Sequence, residues 1–85
     1  MADDVTYYAL VSAGRSAQTP SGLARRRNDG AGRVDETLSR DLTWQPNSAI
    51  IEWEYGEVGT DLVEISDAAA QRLVARFRVL WAEPA

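Results

Sequence analysis

The most regular hydrophobic pattern in the chain lies in its last quarter. Apolar side chains recur there at helical spacing, at Ala69, Leu73, Phe77, Leu80 and Trp81. Such spacing places them on one face of an α-helix, which has about 3.6 residues per turn, and Ser66 can cap its first turn. The pattern predicts a helix over roughly the last 16 to 20 residues. We expect that helix to be buried along Leu73, Phe77, Leu80 and, in part, Trp81.

Three other segments have the composition of β-strands. Residues 5–11 are rich in β-branched and aromatic side chains and are apolar on both faces, which indicates a central strand. Residues 23–27 and 62–65 are shorter runs that predict further strands. The glycine and asparagine residues between positions 28 and 32 are typical of a tight turn.

Residues 49–55 alternate between apolar and acidic side chains. Ile51 and Trp53 fall on one side of the alternation, and Glu52 and Glu54 fall on the other. This pattern predicts a half-buried antiparallel strand whose acidic face points to solvent. A short helix with Ser48 as its N-cap fits the same window and is the alternative.

Residues 34–45 also fit two structures. A turn at residues 40–41 would join two strands, whereas Val34, Leu38 and Leu42 fall at helical spacing. Strands are favoured, because the residues that precede Pro46 avoid the helical region of backbone conformation.

These segments together predict one α+β domain over residues 1–85. Residues 12–22 are small and polar and include glycine and proline, so they are predicted to form a mobile loop. The rest is expected to form a small, mostly antiparallel sheet of three to five strands with the C-terminal helix packed on one face. Because one helix covers one face and residues 5–11 are apolar on both, we also expect a tendency to form a homodimer.

The composition restricts the chemistry that the chain can perform. It has no cysteine and no histidine, and all nine basic residues are arginine. The usual ligands of zinc and other transition metals are therefore missing, as are the side chains of Ser-His, Cys-His and lysine-dependent catalysis. We expect a protein that is not an enzyme and uses no cofactor. No apolar run approaches the roughly 20 residues of a membrane helix, so no membrane contact is expected. Since the chain has no cysteine for disulfides, a bacterial cytoplasm is the expected compartment.

Charge is distributed unevenly along the chain, whose net charge is −4. Residues 12–33 hold five arginines and one aspartate, whereas residues 34–67 hold nine carboxylates and one arginine. Three of the arginines are consecutive, namely Arg25, Arg26 and Arg27. On a strand, Arg25 and Arg27 share one face and Arg26 lies on the other.

Two roles are open to this arginine triplet. Its guanidinium groups could bind phosphates, or they could pair with the carboxylates of residues 52–64 across the sheet. Pairing is favoured, because an isoelectric point of about 4.6 is far from the basic balance of a nucleic-acid-binding domain. Nucleic acid is therefore not the expected partner.

Two further features are candidates for contact with a partner. The acidic face could dock a basic partner and would comprise Glu52, Glu54, Glu57, Asp61 and Glu64. Solvation is the more common role of such a face. Trp44, which lies close to Pro46 in an extended segment, is expected to be exposed and could anchor an interface.

The segments YYAL, GLARRR, DETLSRDLTWQP and DLVEISDAAA resemble, in their spacing, short uncharacterised proteins of GC-rich actinobacteria. The resemblance spans most of the chain. It implies a bacterial and cytoplasmic protein, and it assigns neither an activity nor a site residue.

The sequence as a whole therefore favours a small non-enzymatic interaction or regulatory domain that binds a protein partner. The acidic strand face or an exposed sheet edge would form the contact. The candidate contact residues are Arg25, Arg26, Arg27, Trp44, Glu52 and Glu54. The alternative is a nucleic-acid-associated accessory protein that uses residues 25–27 together with Arg15.

Overall fold

The computed structural model describes residues 4–12, 15–28, 30–56 and 61–81. Its elements, in chain order, are β1 (Asp4–Val11), β2 (Gly22–Asn28), β3 (Arg33–Leu38), β4 (Trp44–Pro46), α1 (Ala49–Glu54), β5 (Asp61–Ile65) and α2 (Asp67–Trp81). The five strands form one antiparallel sheet in the order β4-β3-β2-β1-β5, which confirms the predicted α+β class. Residues 82–85, which the helix prediction included, lie outside the described residues. Neither α1 nor α2 is long and apolar enough to cross a membrane.

The register of the strands sorts the side chains onto two faces. Tyr7 of β1 lies opposite Arg25 of β2 and Ile65 of β5, and Arg25 lies opposite Glu36 of β3. Cross-strand partners point to the same side of a sheet, so these four side chains share one face. The next residue along each strand, such as Arg26, points to the other face.

Helix α2 covers part of the first of these faces, which we call the α2 face. Its Leu73 and Phe77 pack against Leu23 and Leu38 of the sheet, and the side chain of Phe77 is only 3% exposed. The ring of Trp81 stacks on Phe77 with 4.2 Å between the ring centroids. The predicted helix and its burial through Leu73, Phe77 and part of Trp81 are confirmed.

The first turn of α2 agrees with the prediction, and the last turn does not. At the first turn, the backbone N–H of Ala69 donates to the Oγ of Ser66 at 3.1 Å, as expected for the N-cap. At the last turn, the expected burial of Leu80 is wrong, since its side chain is 56% exposed. Trp81 lies four positions after Phe77 and occupies the end of the buried stripe, so Leu80 is displaced to the side of the helix.

Residues 49–55 do not form the predicted strand. They contain helix α1, which is the alternative structure for this window. Ile50 is 1% exposed and packs against Ala24 and Leu62 on the second face of the sheet, with Trp53 beside this cluster. Residues three positions apart share one side of a helix, so helical structure lets Ile50 and Trp53 contact the sheet together. Burial of this apolar pair outweighs the strand-like alternation of the sequence.

The second face of the sheet, which we call the α1 face, is therefore covered by the same chain. Tyr8 and Leu10 of β1 pack against the cluster that contains Ile50. The homodimer was expected because one helix was thought to leave this face bare, and α1 removes that reason. Dimer formation itself stays a prediction.

Residues 34–45 form strands, as favoured, and the turn between them is built from side-chain hydrogen bonds. The backbone N–H of Ser39 donates to the carbonyl oxygen of Thr43 at 2.9 Å. The hydroxyl groups of Ser39 and Thr43 both donate to the carboxylate of Asp41, and these bonds lower the pKa of that carboxyl group. Leu42 adopts a left-handed conformation with a φ of 68°, and its side chain packs against the cluster under α2. This contact offsets the backbone strain.

Replacement of Phe77 by alanine tests the placement of α2. The Phe77→Ala change should lower the free energy of unfolding by about 3–5 kcal/mol, because it removes a buried ring and leaves a cavity. The matched control is Leu80→Ala, which should cost under about 1 kcal/mol because that side chain is largely exposed. Urea denaturation of both variants gives the comparison, and equal losses would contradict the described packing.

Candidate functional site

The guanidinium group of Arg26 joins the sheet to α1 on the α1 face. Its Nε and Nη2 donate to the two carboxylate oxygens of Asp35 at 2.9 and 3.1 Å. Its Nη1 and Nη2 also donate to the two oxygens of Glu54 at 3.0 and 3.1 Å. Both pairs are bidentate, which is the strongest geometry for an arginine and a carboxylate. The hydrogen bonds with Asp35 and Glu54 raise the pKa of Arg26 above its ordinary value, and those from Arg26 lower the pKa of Glu54.

Arg25 and Arg27 lie on the α2 face and share one buried carboxylate. The Nε of each donates to the Oε1 of Glu36, at 2.8 Å from Arg25 and 3.1 Å from Arg27. Burial alone would raise the pKa of Glu36, but the hydrogen bonds from Arg27 and Arg25 outweigh it and hold the pKa below its ordinary value. Internal pairing of the triplet, the favoured interpretation, thus describes its geometry, although only Glu54 comes from residues 52–64.

Trp44 is half-buried rather than fully exposed as expected. The guanidinium carbon of Arg25 lies 4.3 Å from the centroid of its ring, a cation–π contact, and the ring of Tyr7 lies 6.1 Å away. Because Trp44 sits on β4, at one edge of the sheet, its neighbours on β2 and β1 enclose one side of the ring. Only part of this side chain is therefore accessible to a partner.

The acidic strand face does not form, because its central residues lie on α1. Glu54 is engaged by Arg26, and Glu52 accepts a hydrogen bond from the Oγ of Ser48 at the start of the helix. Asp61 and Glu64 lie on β5, while Glu57 lies outside the described residues. Within the described part of the chain, no group of three or more acidic side chains could hold a metal ion.

A different set of arginines converges on a cavity that the sequence did not indicate. Arg15, Arg40 and Arg76 line a cavity of about 230 Å³ between the 15–21 segment, the β3–β4 turn and the last two turns of α2. Among the described residues, none of these three guanidinium groups forms an ion pair with a carboxylate. The rest of the lining is apolar or hydroxyl-bearing and comprises Thr19, Pro20, Ser21, Leu73, Phe77, Leu80 and Trp81. We call this cavity the arginine cavity.

Three structural elements position these arginines. The Nη1 of Arg76 on α2 donates to the carbonyl oxygen of Gln18 at 3.0 Å, which ties the 15–21 segment to the helix. The Nη1 of Arg15 donates to the carbonyl oxygen of Thr19 at 3.4 Å. Arg40, at the tip of the β3–β4 turn, places its guanidinium carbon 5.2 Å from the ring centroid of Trp81. Most N–H groups of the three guanidinium groups have no acceptor among the described residues.

The 15–21 segment makes up most of the described part of the predicted loop at 12–22. Residues 13–14 lie outside the described residues, and Gly22 already belongs to β2. Short-range bonds shape it, such as the one from the backbone N–H of Thr19 to the carbonyl oxygen of Ser16. On its other side, a second cavity of about 410 Å³ lies against α2 and shares Arg76 with the first. Arg76 therefore stands between two openings along one side of the helix.

Sequence reasoning singled out residues 25–27 and did not indicate the arginine cavity, although one signal drew attention to the arginines of α2. Arg72, Arg76 and Arg78 lie on α2 without an acidic residue three or four positions away on the helix. They therefore lack the intrahelical partners that usually neutralise helical arginines. That Arg15 and Arg40 approach Arg76 depends on the fold.

Comparison of the chain with protein-family models, with curated proteins and with solved structures finds no match.

Loss of the Arg26 guanidinium tests its structural role. Arg26→Gln should lower the free energy of unfolding by about 3 kcal/mol, because it leaves the carboxylate of Asp35, whose side chain is 6% exposed, without its bidentate partner. The matched control is Arg78→Gln, an exposed arginine on α2, which should cost under about 0.5 kcal/mol. Urea denaturation measures both. A loss below about 1 kcal/mol in Arg26→Gln would mean that the pair acts as an ordinary surface ion pair.

The lowered pKa of Glu36 predicts the direction of a pH effect. Its carboxyl group binds protons less readily in the folded chain than in the unfolded chain, where the ordinary value is 4.5. The resulting stabilisation is present above about pH 4.5 and is lost as the pH falls through the folded pKa. The stability difference between the wild-type chain and Glu36→Gln should therefore shrink between about pH 7 and about pH 3. Thermal unfolding across this range measures it, and a constant difference would contradict the assignment.

Proposed function

We propose that the chain is a small non-enzymatic interaction domain that binds an acidic segment of a protein partner at the arginine cavity. The observation that supports this proposal is the convergence of Arg15, Arg40 and Arg76 on one cavity, without an ion pair among the described residues. The arginines on the strands of the sheet form ion pairs with carboxylates, whereas the three arginines at the cavity form none within the described part of the chain.

Three like charges around one opening repel one another, and an anion that enters relieves this repulsion. Guanidinium groups are also well suited to carboxylates, because their planar fork of N–H donors matches the two acceptor oxygens. The whole chain carries a net charge of −4, so this positive region is a local exception. Its field favours the approach of an acidic segment to this side of the molecule.

The border of the cavity is apolar and exposed. Leu80, which lines the cavity at the end of α2, is 56% exposed, and Trp81 beside it is half-buried. Interfaces between proteins are enriched in tryptophan and arginine, and energetically important residues cluster where apolar contact excludes water from polar pairs. A partner that places an acidic side chain in the cavity and an apolar side chain on Leu80 would contact both the arginines and the apolar border.

The described lining also argues against catalysis at this site. Its only charged side chains are the three arginines. Such groups bind and orient anions but do not exchange protons as a general acid or base.

The nucleic-acid hypothesis has less support than it had from the sequence. Residues 25–27, on which it relied, are engaged by Asp35, Glu36 and Glu54. Arg15 is the one residue of that hypothesis that borders the arginine cavity. Binding to a polyanion through several arginines would weaken about tenfold or more for a threefold rise in salt.

Labelled acidic peptides test the proposed function. We expect short peptides that combine glutamate residues with one leucine or phenylalanine to bind the wild-type chain in a fluorescence-anisotropy titration. The double change Arg15→Gln with Arg40→Gln should weaken binding at least about tenfold, since each lost hydrogen bond to a charged group is worth roughly 1.5–3 kcal/mol.

Arg78→Gln is the control for overall charge, because it removes one positive charge at a site away from both cavities, whereas the double variant removes two. It should leave the affinity within about threefold of the wild-type value, apart from the small effect of net charge. An equal loss of peptide affinity in the control and in the double variant would show that overall charge, rather than the cavity, drives binding. No binding of any peptide would contradict the proposed function.

A further inference from the structure

We infer that the group bound in the arginine cavity is a phosphoryl group on a side chain of the partner protein. This inference rests on the proposed function and specifies the chemistry of the ligand at the same site. It follows from the number of charges at the cavity, from the donors that remain available and from the size of the opening.

The charge of the cavity exceeds what one carboxylate can neutralise. Arg15, Arg40 and Arg76 contribute three positive charges, and the described lining contributes no negative one. A carboxylate carries one negative charge and two acceptor oxygens. A phosphoryl group on a side chain carries about 1.5 to 2 negative charges near neutral pH and three acceptor oxygens, so it fits three guanidinium groups better.

The three arginines are held in place while most of their donors stay available. Arg76 uses one N–H group for the carbonyl oxygen of Gln18, and Arg15 uses one for that of Thr19. Arg40 interacts with the ring of Trp81 through its π-face, which consumes none of its N–H donors. Since a guanidinium group has five N–H donors, each of the three retains at least four without an acceptor among the described residues.

The size of the cavity suits a side-chain-sized group. Its volume of about 230 Å³ is below the roughly 300–1,000 Å³ of pockets that enclose a whole small molecule. A phosphoryl group and the atoms next to it fit such a space, while a nucleotide would extend out of it. The partner's peptide segment that carries the phosphoryl group would then pass over the apolar border of the cavity at Leu80.

Four ligands distinguish the possible sources of the bound group in isothermal titration calorimetry. They are a phosphoserine peptide, the same peptide with glutamate, the same peptide with unmodified serine, and inorganic phosphate. The phosphoserine peptide should bind at least about tenfold more tightly than the glutamate peptide, because its extra charge and oxygen add at least one charge-assisted hydrogen bond. The serine peptide should not bind measurably.

The pH dependence of the peptide affinity distinguishes a bound phosphoryl group from a general effect of charge. The second pKa of a phosphoserine is about 6, whereas the chain has no histidine and the described lining of the cavity holds no carboxylate. The affinity for the phosphoserine peptide should therefore fall between about pH 7.5 and about pH 5. The affinity for the glutamate peptide should change far less.

Two single variants locate the binding. Arg40→Gln and Arg15→Gln should each weaken the phosphoserine peptide about tenfold or more, while Arg78→Gln should keep its affinity. Both changes lie at exposed positions, so the fold should be retained, and the thermal unfolding curve of each variant checks this. Arg76 is left intact because it also ties the 15–21 segment to α2.

The possible outcomes separate this inference from the proposed function. Equal affinity for the phosphoserine and glutamate peptides, without the pH effect, would overturn the phosphoryl inference and leave the acidic-partner function standing. Binding of inorganic phosphate without binding of any peptide would overturn both, since the source would then be a small phosphate rather than a protein. Absence of all binding would also overturn both.

Discussion

The double ion pair of Arg26 is the interaction on which the layered structure depends. Its side chain leaves the α1 face of the sheet, binds Asp35 on the neighbouring strand and reaches Glu54 at the end of α1. Helix α1 has only six residues, which is too short to be stable by itself. The buried side chain of Ile50 and this ion pair together hold it on the sheet. Without α1, one apolar face of the central strand would be open to water.

Pairing with carboxylates on the neighbouring strand also explains why the three consecutive arginines stabilise the sheet. Each of Arg25, Arg26 and Arg27 faces a carboxylate from β3, because β2 and β3 pair in a register that sets Arg25 beside Glu36 and Arg26 beside Asp35. Opposite charges across neighbouring strands stabilise the pairing. Arg15, Arg40 and Arg76 have no carboxylate partner among the described residues. A binding role fits that second set better than the first.

The sequence by itself determined the elements whose signals are local and long. Helix α2 combines a long apolar stripe with the Ser66 cap, and residues 5–11 are apolar and β-branched enough to exclude other structures. Over residues 34–45, the backbone restrictions before Pro46 favoured strands over the helical alternative, and the structure has strands there. These features depend on neighbours within a few positions, so they can be deduced from the order of residues.

Only the tertiary structure decided the short helix and the arginine cavity. The alternation of residues 49–55 favours a strand over a short helix, and the burial of Ile50 against Ala24 and Leu62, which are distant in sequence, selects the helix instead. The cavity likewise joins residues from a loop, a turn and a helix that lie 25 or more positions apart, namely Arg15, Arg40 and Arg76. Charge along a chain shows how many arginines lack local partners. Which of them meet in space depends on how the sheet and α2 pack, because that packing sets the distances between segments.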